Sequence, residues 1–439
     1  MYITILGFFI IPIAVFLTTR LDLKQLLLTT FVCSTFSATA IIVFDFIGFA
    51  LTIGQLFGML LLIKLFILVI KKQVNCKVKI NKWIYIFMIL CVISLTYPLF
   101  FSKGTIVLTP DDSYLPIKFK FQMITQFSYL LFGFFIFWAT CVIYKNINFK
   151  QEDYIYASRI ILWIFNVLLV LQYIMPIEIY NMLFRMLPSA NNQLAFYGDR
   201  VRLSGPTSEP SILSLTIVPI MGILIFNINK KNWKLDTPLI LITLWLVATT
   251  KSSTFIIGLF VQLLCLIVYY RKDIITKIND IKINNKKLII YILGMVLFVS
   301  LIFYLLFKDI IYLLLEKLGG QHASGSLRLA ALKHHLNVFK QYPLFGVGFG
   351  TIRSYDLLST WLSAIGLTGV GSYLMYILFL VKNLFRYKQS WIYIQFILVI
   401  LMMMMVSVPE PYYLFLWIIL GVLQVLTNEY QKKSSIINT

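Results

Sequence analysis

The apolar stretch IGFALTIGQLFGMLLLIKLFILVI, residues 47–70, is followed at once by the basic segment KKQVNCKVKINK, residues 71–82. As a helix, this apolar run is long enough to cross about 30 Å of hydrocarbon. Its only charged residue, Lys64, precedes Lys71 by seven positions, so its ammonium group can extend to the membrane surface. The stretch therefore predicts a transmembrane helix followed by a loop on the cytoplasmic side.

The same alternation of long apolar runs and short basic segments extends along the whole chain. Of 439 residues, 60% are hydrophobic and only 13% are charged, which is more apolar surface than a soluble domain can cover. We expect an all-α, polytopic integral membrane protein of roughly 12–13 transmembrane helices, forming a single domain over residues 1–439. The predicted spans are 2–18, 25–44, 47–70, 83–101, 121–144, 160–176, 211–227, 237–250, 253–270, 288–307, 366–381, 391–407 and 412–427.

The net charge of +21 is concentrated in alternate connections between these spans. By the positive-inside rule these connections are cytoplasmic, which places the C-terminus inside and, for thirteen spans, the N-terminus outside. This distribution explains the basic charge, and since no nucleic-acid-binding motif is present, we expect no nucleic-acid partner. The basic connections lie near 20–24, 71–82, 145–150, 230–234, 271–287, 382–388 and 432–433.

The opposite connections are predicted to be extracytoplasmic, and two of them are long loops, 177–210 and 308–365. Each contains an apolar helix-like patch, IYNMLF (179–184) or DIIYLLLEKL (309–318), which we expect to lie along the membrane surface. A shorter outer loop, 102–120, contains Asp111 and Asp112, where a turn after Pro110 is favoured over a cation site.

The five cysteines show no metal-ligand spacing, so we predict no metal.

The loop 308–365 contains all three histidines of the chain, His322, His334 and His335. Residues 326–341 predict a helix that ends before Pro343, and Arg328 and His335 lie on one side of it, seven residues apart. Together with Arg353, these residues suit a phosphate-bearing ligand, although an amphipathic surface helix with incidental polar residues is the alternative. The predicted apolar stripe consists of Leu329, Leu332, Leu336 and Phe339.

Directly after this helix comes GVGFGT, residues 346–351, with glycine at every second position. No strand-turn-helix unit surrounds it, so it is not a dinucleotide-binding motif. Alternating glycines instead favour a tight loop that lets the backbone approach a ligand or a neighbouring helix.

The segment RVRLSGPTSEPS, residues 200–211, leads into the predicted span 211–227. Pro210 suits the first turn of that helix, which places Glu209 at the membrane–water boundary. Glu209 is either a partner of the helix dipole or a general base, with Arg200 and Arg202 as anion-binding residues. Lys251, in ATTKSST (248–254), adds a cation in a short outer connection.

Taken in order, four segments resemble the bacterial O-antigen polymerase and O-antigen ligase superfamily. RLSGPTSEPSIL (202–213) resembles its Arg-x-x-Gly…Glu-Pro-Ser segment, and ATTKSSTFIIGL (248–259) its Thr-x-Ser-Arg segment, with lysine in place of arginine. SLRLAALKHHLNVFKQYPLFGVGFGT (326–351) is similar to its Arg-bearing helix followed by Pro-x-x-Gly-x-Gly-x-Gly. YDLLSTWLSAIGLTG (355–369) matches the spacing of the ligases' His-Asn…Gly-x-x-Gly motif. The resemblance extends over roughly 160–381.

The sequence departs from the ligase pattern at one informative place. Tyr355 and Asp356 occupy the positions of His-Asn, so the histidine proposed as the ligases' catalytic group is missing there. This departure favours a polymerase, and whether His334 or His335 substitutes for the missing residue is left open.

The resemblance implies a glycosyltransferase of the bacterial cytoplasmic membrane, with its active site facing the periplasm or cell exterior. The donor would be a glycan on undecaprenyl diphosphate, the acceptor another lipid-linked repeat unit, and the product O-antigen or capsular polysaccharide; no cofactor is implied. The bilayer and a chain-length regulator protein are further expected partners. The expected bases are Glu209, then Asp356, then His335, and the diphosphate-binding residues are Arg200, Arg202, Lys251, Arg328 and Arg353.

Two other functions remain as alternatives. One is an O-antigen ligase that transfers polymer to a surface acceptor; the other is a flippase for lipid-linked oligosaccharide. Transporters usually carry ionisable groups at mid-membrane, whereas Lys64 is the only such candidate here and lies near the cytoplasmic surface. The concentration of polar residues in the outer loops therefore favours an enzyme.

Overall fold

A computed structural model describes residues 2–44, 49–101, 103–109, 113–147, 149–185, 196–197, 200–228, 232–280 and 323–437. Helices dominate this part of the chain, as predicted. They are α1 (Ile5–Arg20), α2 (Leu23–Cys33), α3 (Ile53–Ile70), α4 (Lys82–Ser94), α5 (Tyr97–Phe100), α6 (Phe121–Asn146), α7 (Gln151–Ile174), α8 (Ile177–Phe184), α9 (Pro210–Ile225), α10 (Trp233–Ala248), α11 (Ser253–Asp280), α12 (Ala323–Gln341), α13 (Leu357–Leu384), α14 (Trp391–Ser407) and α15 (Leu414–Ile437).

Short antiparallel strands connect some of the helices. β1 (Tyr2–Ile3), β2 (Ala40–Phe44) and β3 (Phe49–Thr52) form one sheet in that order. β4 (Ile106–Leu108) pairs with β5 (Tyr114–Pro116), and β6 (Phe196–Tyr197) pairs with β7 (Arg200–Val201).

In the described part of the chain, eight helices are long and apolar enough to cross a membrane, namely α3, α6, α7, α11, α13, α14, α15 and the segment Lys82–Phe100. Three further apolar helices, α1, α2 and α9, are shorter. This confirms an all-α, multi-pass membrane protein. The predicted span 288–307 and the surface patch 309–318 lie outside the described residues, whereas the predicted patch 179–184 forms the C-terminal part of α8.

The prediction of a continuous span over 25–44 is wrong, because α2 ends at Cys33 and β2 follows. The hydroxyls of Ser34 and Thr35 donate to the carbonyls of Phe31 and Val32 at 2.7 and 2.6 Å. Such side-chain bonds compete with the helical ladder, and the β-branched residues that follow pair with β3 instead. A hydropathy profile does not distinguish a helix from a strand when both are formed by apolar residues.

Four of the predicted cytoplasmic connections, those near residues 20–24, 71–82, 145–150 and 432–433, lie together at one end of the molecule. Lys24 Nζ is 2.6 Å from Asp153 Oδ2, the loop at residue 75 hydrogen-bonds to the end of α6, and α15 hydrogen-bonds to the loop at residue 79. From this end α7 extends across the molecule, and Gln172 near its C-terminus accepts hydrogen bonds from the backbone N–H groups of Ser204 and Gly205. The segment that leads into α9 therefore lies at the opposite end.

Helices α9 and α14 lie at the centre of the bundle, where every residue from Pro210 to Leu224 is buried. They approach closely at Gly222, where an added Cβ would lie 2.3 Å from Gln395 Oε1, and Gln395 Nε2 donates to Pro219 O at 3.1 Å. Small residues permit such close contacts between helices in membranes. Because the start of α9 and the end of α14 both lie at the end opposite the basic loops, Glu209 before α9 and Glu410 after α14 are brought together.

The predicted tight glycine loop is confirmed. Gly346, Gly348 and Gly350 have φ angles of 67°, 124° and 76°. The loop packs against a break in α13 at Gly366, with Gly348 N donating to Ala364 O and Leu367 N to Pro343 O at 2.9 and 2.8 Å. The predicted span 366–381 is thus the second part of a longer, broken helix.

Replacement of Gly366 by alanine is expected to prevent stable folding. Its φ of 65° costs a non-glycine residue about 1–2 kcal/mol, and an added Cβ would lie 2.3 Å from the backbone of Leu344. Overpacking of this kind typically costs about 1–3 kcal/mol more. Size-exclusion chromatography of a fluorescent fusion should show a loss of monodisperse protein. Gly371→Ala is the matched control, because nothing lies within 4 Å of a Cβ at that position of the same helix; equal loss in both variants would contradict the packing argument.

Candidate active site

Glu209 is the N-cap residue of α9, with φ of −154° and ψ of 162°. Within the described part of the chain its side chain makes no capping hydrogen bond. The carboxylate is half-buried, so it is held at the membrane end of α9 without being used to satisfy the helix. This geometry suits a base better than a cap.

Glu410, which the sequence analysis did not single out, lies near Glu209. Arg353 Nη2 lies 2.5 Å from Glu410 Oε1. Burial raises the pKa of the Glu410 carboxyl, the charge of Glu209 raises it further, and Arg353 opposes both effects. Two carboxylates and one guanidinium are therefore close together, which is an arrangement able to accept and share a proton.

Arg202 and Lys251 are also brought together, as the sequence analysis requires if both bind one anion. Arg202 donates through Nε to Thr250 O at 2.8 Å and through Nη2 to Lys251 O at 2.9 Å. Lys251 has a positive φ of 50°, which is uncommon for a residue with a side chain. These two hydrogen bonds from Arg202 therefore stabilise the turn that contains Lys251. The side chain of Arg200 lies outside the described part of the structure.

Arg328 lies beside the residues that replace His-Asn. Its guanidinium carbon is 5.7 Å from the centre of the Tyr355 ring. Asp356 caps α13, accepting hydrogen bonds from the backbone and hydroxyl of Ser359 at 2.7 and 2.6 Å. Burial raises the pKa of Asp356, while the bonds from Ser359 and the charge of Arg328 oppose the shift. Its hydrogen bonds make Asp356 less available than Glu209 as a base.

His335 is fully buried between α12 and α13, with Nδ1 3.2 Å from Ser363 Oγ. Burial lowers its pKa to about 4, and the neighbouring His334 acts in the same direction. His334 is half-buried and lies against the ring of Tyr114 at 5.0 Å. Because the ring of His335 has no exposed surface, its geometry favours packing over proton transfer. His322 lies outside the described residues.

The predicted helix at 326–341 is confirmed, but its apolar stripe is not the packed face. Leu329 and Leu336 are exposed, whereas Ala331, His335 and Val338 are buried. In a membrane protein apolar side chains can face lipid, so an apolar stripe alone does not identify the face that packs on protein.

The burial of His335 makes the stability of the protein depend on pH. The unfolded chain binds a proton near pH 6.5 and the folded chain only near pH 4, so stability should decrease as pH falls through this interval. A shift of this size corresponds to at most about 3 kcal/mol. Thermal unfolding in detergent between pH 7 and pH 4.5 should therefore change less in His335→Gln than in the wild type. His334→Gln should keep most of the wild-type dependence; an unchanged profile in His335→Gln would contradict this assignment.

Arg185 is another residue that the sequence analysis missed. It follows α8, is 2% exposed, donates to Ser208 O, and also contacts Asn181 Oδ1 at 3.3 Å. Burial lowers its pKa, and it makes no ion pair with a carboxylate of the described residues. Its bond to Ser208 orients the chain directly before Glu209. The apolar context of IYNMLF gave no signal for this contact, which depends on a residue 23 positions away.

A family model described as O-antigen ligase matches residues 238–369. This match supports membership of the O-antigen polymerase and ligase superfamily. Members of this family are glycosyltransferase-like enzymes that act on lipid-linked glycans. The superfamily segment contains Lys251, Arg328, Arg353 and Asp356, whereas Glu209 and Glu410 lie on either side of it. Comparison with curated proteins gives no match.

Proposed function

We propose that this protein is a polysaccharide polymerase that joins lipid-linked repeat units at the outer face of the cytoplasmic membrane. The observation that carries the proposal is the surroundings of Arg328, where Tyr355 and Asp356 stand in place of the ligases' His-Asn. The surroundings of the described histidines do not favour either as a substitute for the missing imidazole, because His335 is fully buried and His334 packs against Tyr114. A superfamily member without that histidine is more consistent with polymerisation than with ligation.

In the proposed reaction, a hydroxyl oxygen of the acceptor's terminal sugar attacks the anomeric carbon of the donor glycan. A new carbon–oxygen bond forms, and the bond between that carbon and the diphosphate oxygen breaks. The electron pair leaves with undecaprenyl diphosphate, and the hydroxyl proton passes to Glu209. The half-buried carboxylate of Glu209, which makes no capping bond within the described residues, is suited to that role.

The cations of the site are proposed to stabilise the negative charge that develops on the leaving diphosphate. Arg328 is half-buried beside Tyr355. Arg202 donates a hydrogen bond to the backbone carbonyl of Lys251 and so holds the turn that contains this lysine. Arg200 and Arg353 are further candidates. Preorganised cations of this kind act without reorganisation during the reaction. Asp356 and His335 rank below Glu209 as bases because the former caps a helix and the latter is fully buried.

A ligase is the second candidate, favoured by the description of the matched family model. In that case the same cations would bind the diphosphate of a polymer donor, and the acceptor would be a different surface molecule. A chain-length regulator is a proposed partner in the polymerase case only.

Deletion of the gene in its host separates these functions. If the protein is a polymerase, the surface polysaccharide should change on a gel from a ladder to a band with one repeat unit. Polymer that persists on its lipid carrier while the surface acceptor stays bare would instead support the ligase. An unchanged ladder would contradict both, and repeat units trapped at the inner face would support a flippase.

A further inference from the structure

A cleft of about 330 Å³ opens beside Glu410. Its walls are formed by the end of α2 and the residues after it, the β3–α3 junction, α6, the start of α9 with the residues before it, and the segment between α14 and α15. Its volume is within the range of pockets that bind small molecules. The lining residues are Ser34, Ser37, Ala50, Thr52, Gly54, Gln55, Tyr129, Ser208, Ile212, Glu410, Tyr412, Tyr413 and Leu414.

The lining of this cleft differs chemically from the diphosphate-binding residues. It combines several hydroxyl groups, one amide and one carboxylate, and no lysine or arginine is among the described residues that line it. Arg353 pairs with Glu410 from outside this lining, so a diphosphate in the cleft would meet a carboxylate and no lysine or arginine of the described lining, which is unfavourable. An uncharged molecule with many hydroxyl groups would find donors and acceptors on every wall.

Two further observations favour a sugar. The rings of Tyr129 and Tyr412 lie 5.8 Å apart, forming an aromatic wall against which the apolar face of a sugar can pack. On another wall the Ser37 hydroxyl is buried and has no hydrogen-bond partner among the described residues. A buried hydroxyl without a partner is costly and can be satisfied by a ligand group.

We propose that this cleft binds the non-reducing terminal sugar of the acceptor, with Glu410 accepting a hydrogen bond from one of its hydroxyls. The proposal rests on the proposed glycan transfer and assigns the acceptor to a place distinct from the donor diphosphate. Ser208, the residue directly before Glu209, lines the cleft, and Glu410 is within electrostatic range of Glu209, so a sugar bound there lies near the proposed base. Arg353 binds Glu410 and joins this cleft to the cationic part of the site.

The probe is a repeat-unit oligosaccharide obtained by partial hydrolysis of the host's surface polysaccharide and labelled at its reducing end. It carries the non-reducing sugar but no diphosphate, so it tests the acceptor subsite alone. Its equilibrium binding is measured to the full-length protein in nanodiscs. Loss of a hydrogen bond to a charged group corresponds to about tenfold or more in affinity, so Glu410→Gln should weaken binding by that factor. Tyr129→Phe and Tyr413→Phe should weaken it by about threefold to tenfold.

Two variants serve as controls for this experiment. Ser128 precedes Tyr129 on α6 but lines an adjoining apolar groove and not the cleft, and its hydroxyl bonds to Ile124 O at 2.8 Å, so Ser128→Ala should bind the probe like the wild type. Arg328→Ala should also bind the probe normally, because the probe lacks the diphosphate.

The cleft assignment is overturned if the wild type does not bind the probe, or if the cleft variants bind as tightly as Ser128→Ala. Weakened binding in Arg328→Ala alone would also overturn it, because the sugar would then lie at the cationic site. The gene deletion tests the proposed function separately. A polymer ladder that survives deletion, combined with cleft-dependent binding, would reject the polymerase and retain the sugar subsite.

Discussion

Replacement of Glu209 by glutamine is expected to lower the rate of glycan transfer by about 10²–10⁴, the usual contribution of a positioned general base. Glutamine has nearly the same shape but cannot accept the proton of the attacking hydroxyl. Folding should be unaffected, because among the described residues the Glu209 side chain makes no capping hydrogen bond. The measurement is the initial rate of polymer formation by reconstituted protein, with lipid-linked units extracted from the deletion strain.

The matched control is Glu178→Gln, which makes the same chemical change at an exposed position of α8. It should retain the wild-type rate. Glu209→Asp should retain part of the activity, since it keeps the carboxylate but moves it. If Glu209→Gln retained activity within about threefold of the wild type, it would exclude Glu209 as the base. Asp356 would then be tested next.

The loss of Arg328 is expected to lower the transfer rate by about 10²–10³, as for removal of one preorganised charge that stabilises a developing anion. Arg328 is half-buried and lies over Tyr355, so Arg328→Ala should leave the amount of folded protein close to that of the wild type. Arg328→Lys should recover only part of the rate, because lysine keeps the charge but lacks the planar fork that binds a diphosphate.

Lys333→Ala is the control for Arg328→Ala, because Lys333 is exposed on the same helix. Tyr355→Phe should also be nearly neutral, since it keeps the ring beneath the guanidinium. In cells, Arg328→Ala should accumulate unreacted repeat units that are accessible to reagents outside the membrane. Accumulation at the inner face would support transport instead, and an equal loss of rate in Lys333→Ala would indicate a general effect of surface charge.

The helical fold was predictable from the sequence because the membrane imposes a local requirement. Each backbone group within the hydrocarbon must be hydrogen-bonded, so a long apolar run such as 121–144 predicts a helix without knowledge of its neighbours. The predicted helix at 326–341 and the tight glycine loop at 346–351 were also recognisable from local composition. The conformation of residues 25–44 was not predictable in this way. The second half of the segment is apolar whether it forms a helix or a strand, and its strand conformation depends on pairing with β3, which lies outside the segment.

The candidate site was only partly predictable. Arg328, Lys251 and Glu209 could be proposed because costly charges next to apolar spans require an explanation and because their motifs resemble those of the superfamily. Glu410 has the same character, but VPEPYY is a short connection between two spans and gave no separate signal. Its proximity to Glu209 and Arg353 became apparent only from the packing of α9 and α14.

The sequence by itself determined that this is a multi-pass helical membrane protein, whose charged motifs lie in the connections and resemble those of the O-antigen polymerase and ligase superfamily. Hydropathy, charge and motif spacing are properties of contiguous residues, so they can be read along the chain. The tertiary structure alone decided that His335 is buried, that α13 is broken against the glycine loop, and that Arg353 pairs with Glu410 near Glu209. These features depend on contacts between residues far apart in the chain, and helix packing selects those contacts.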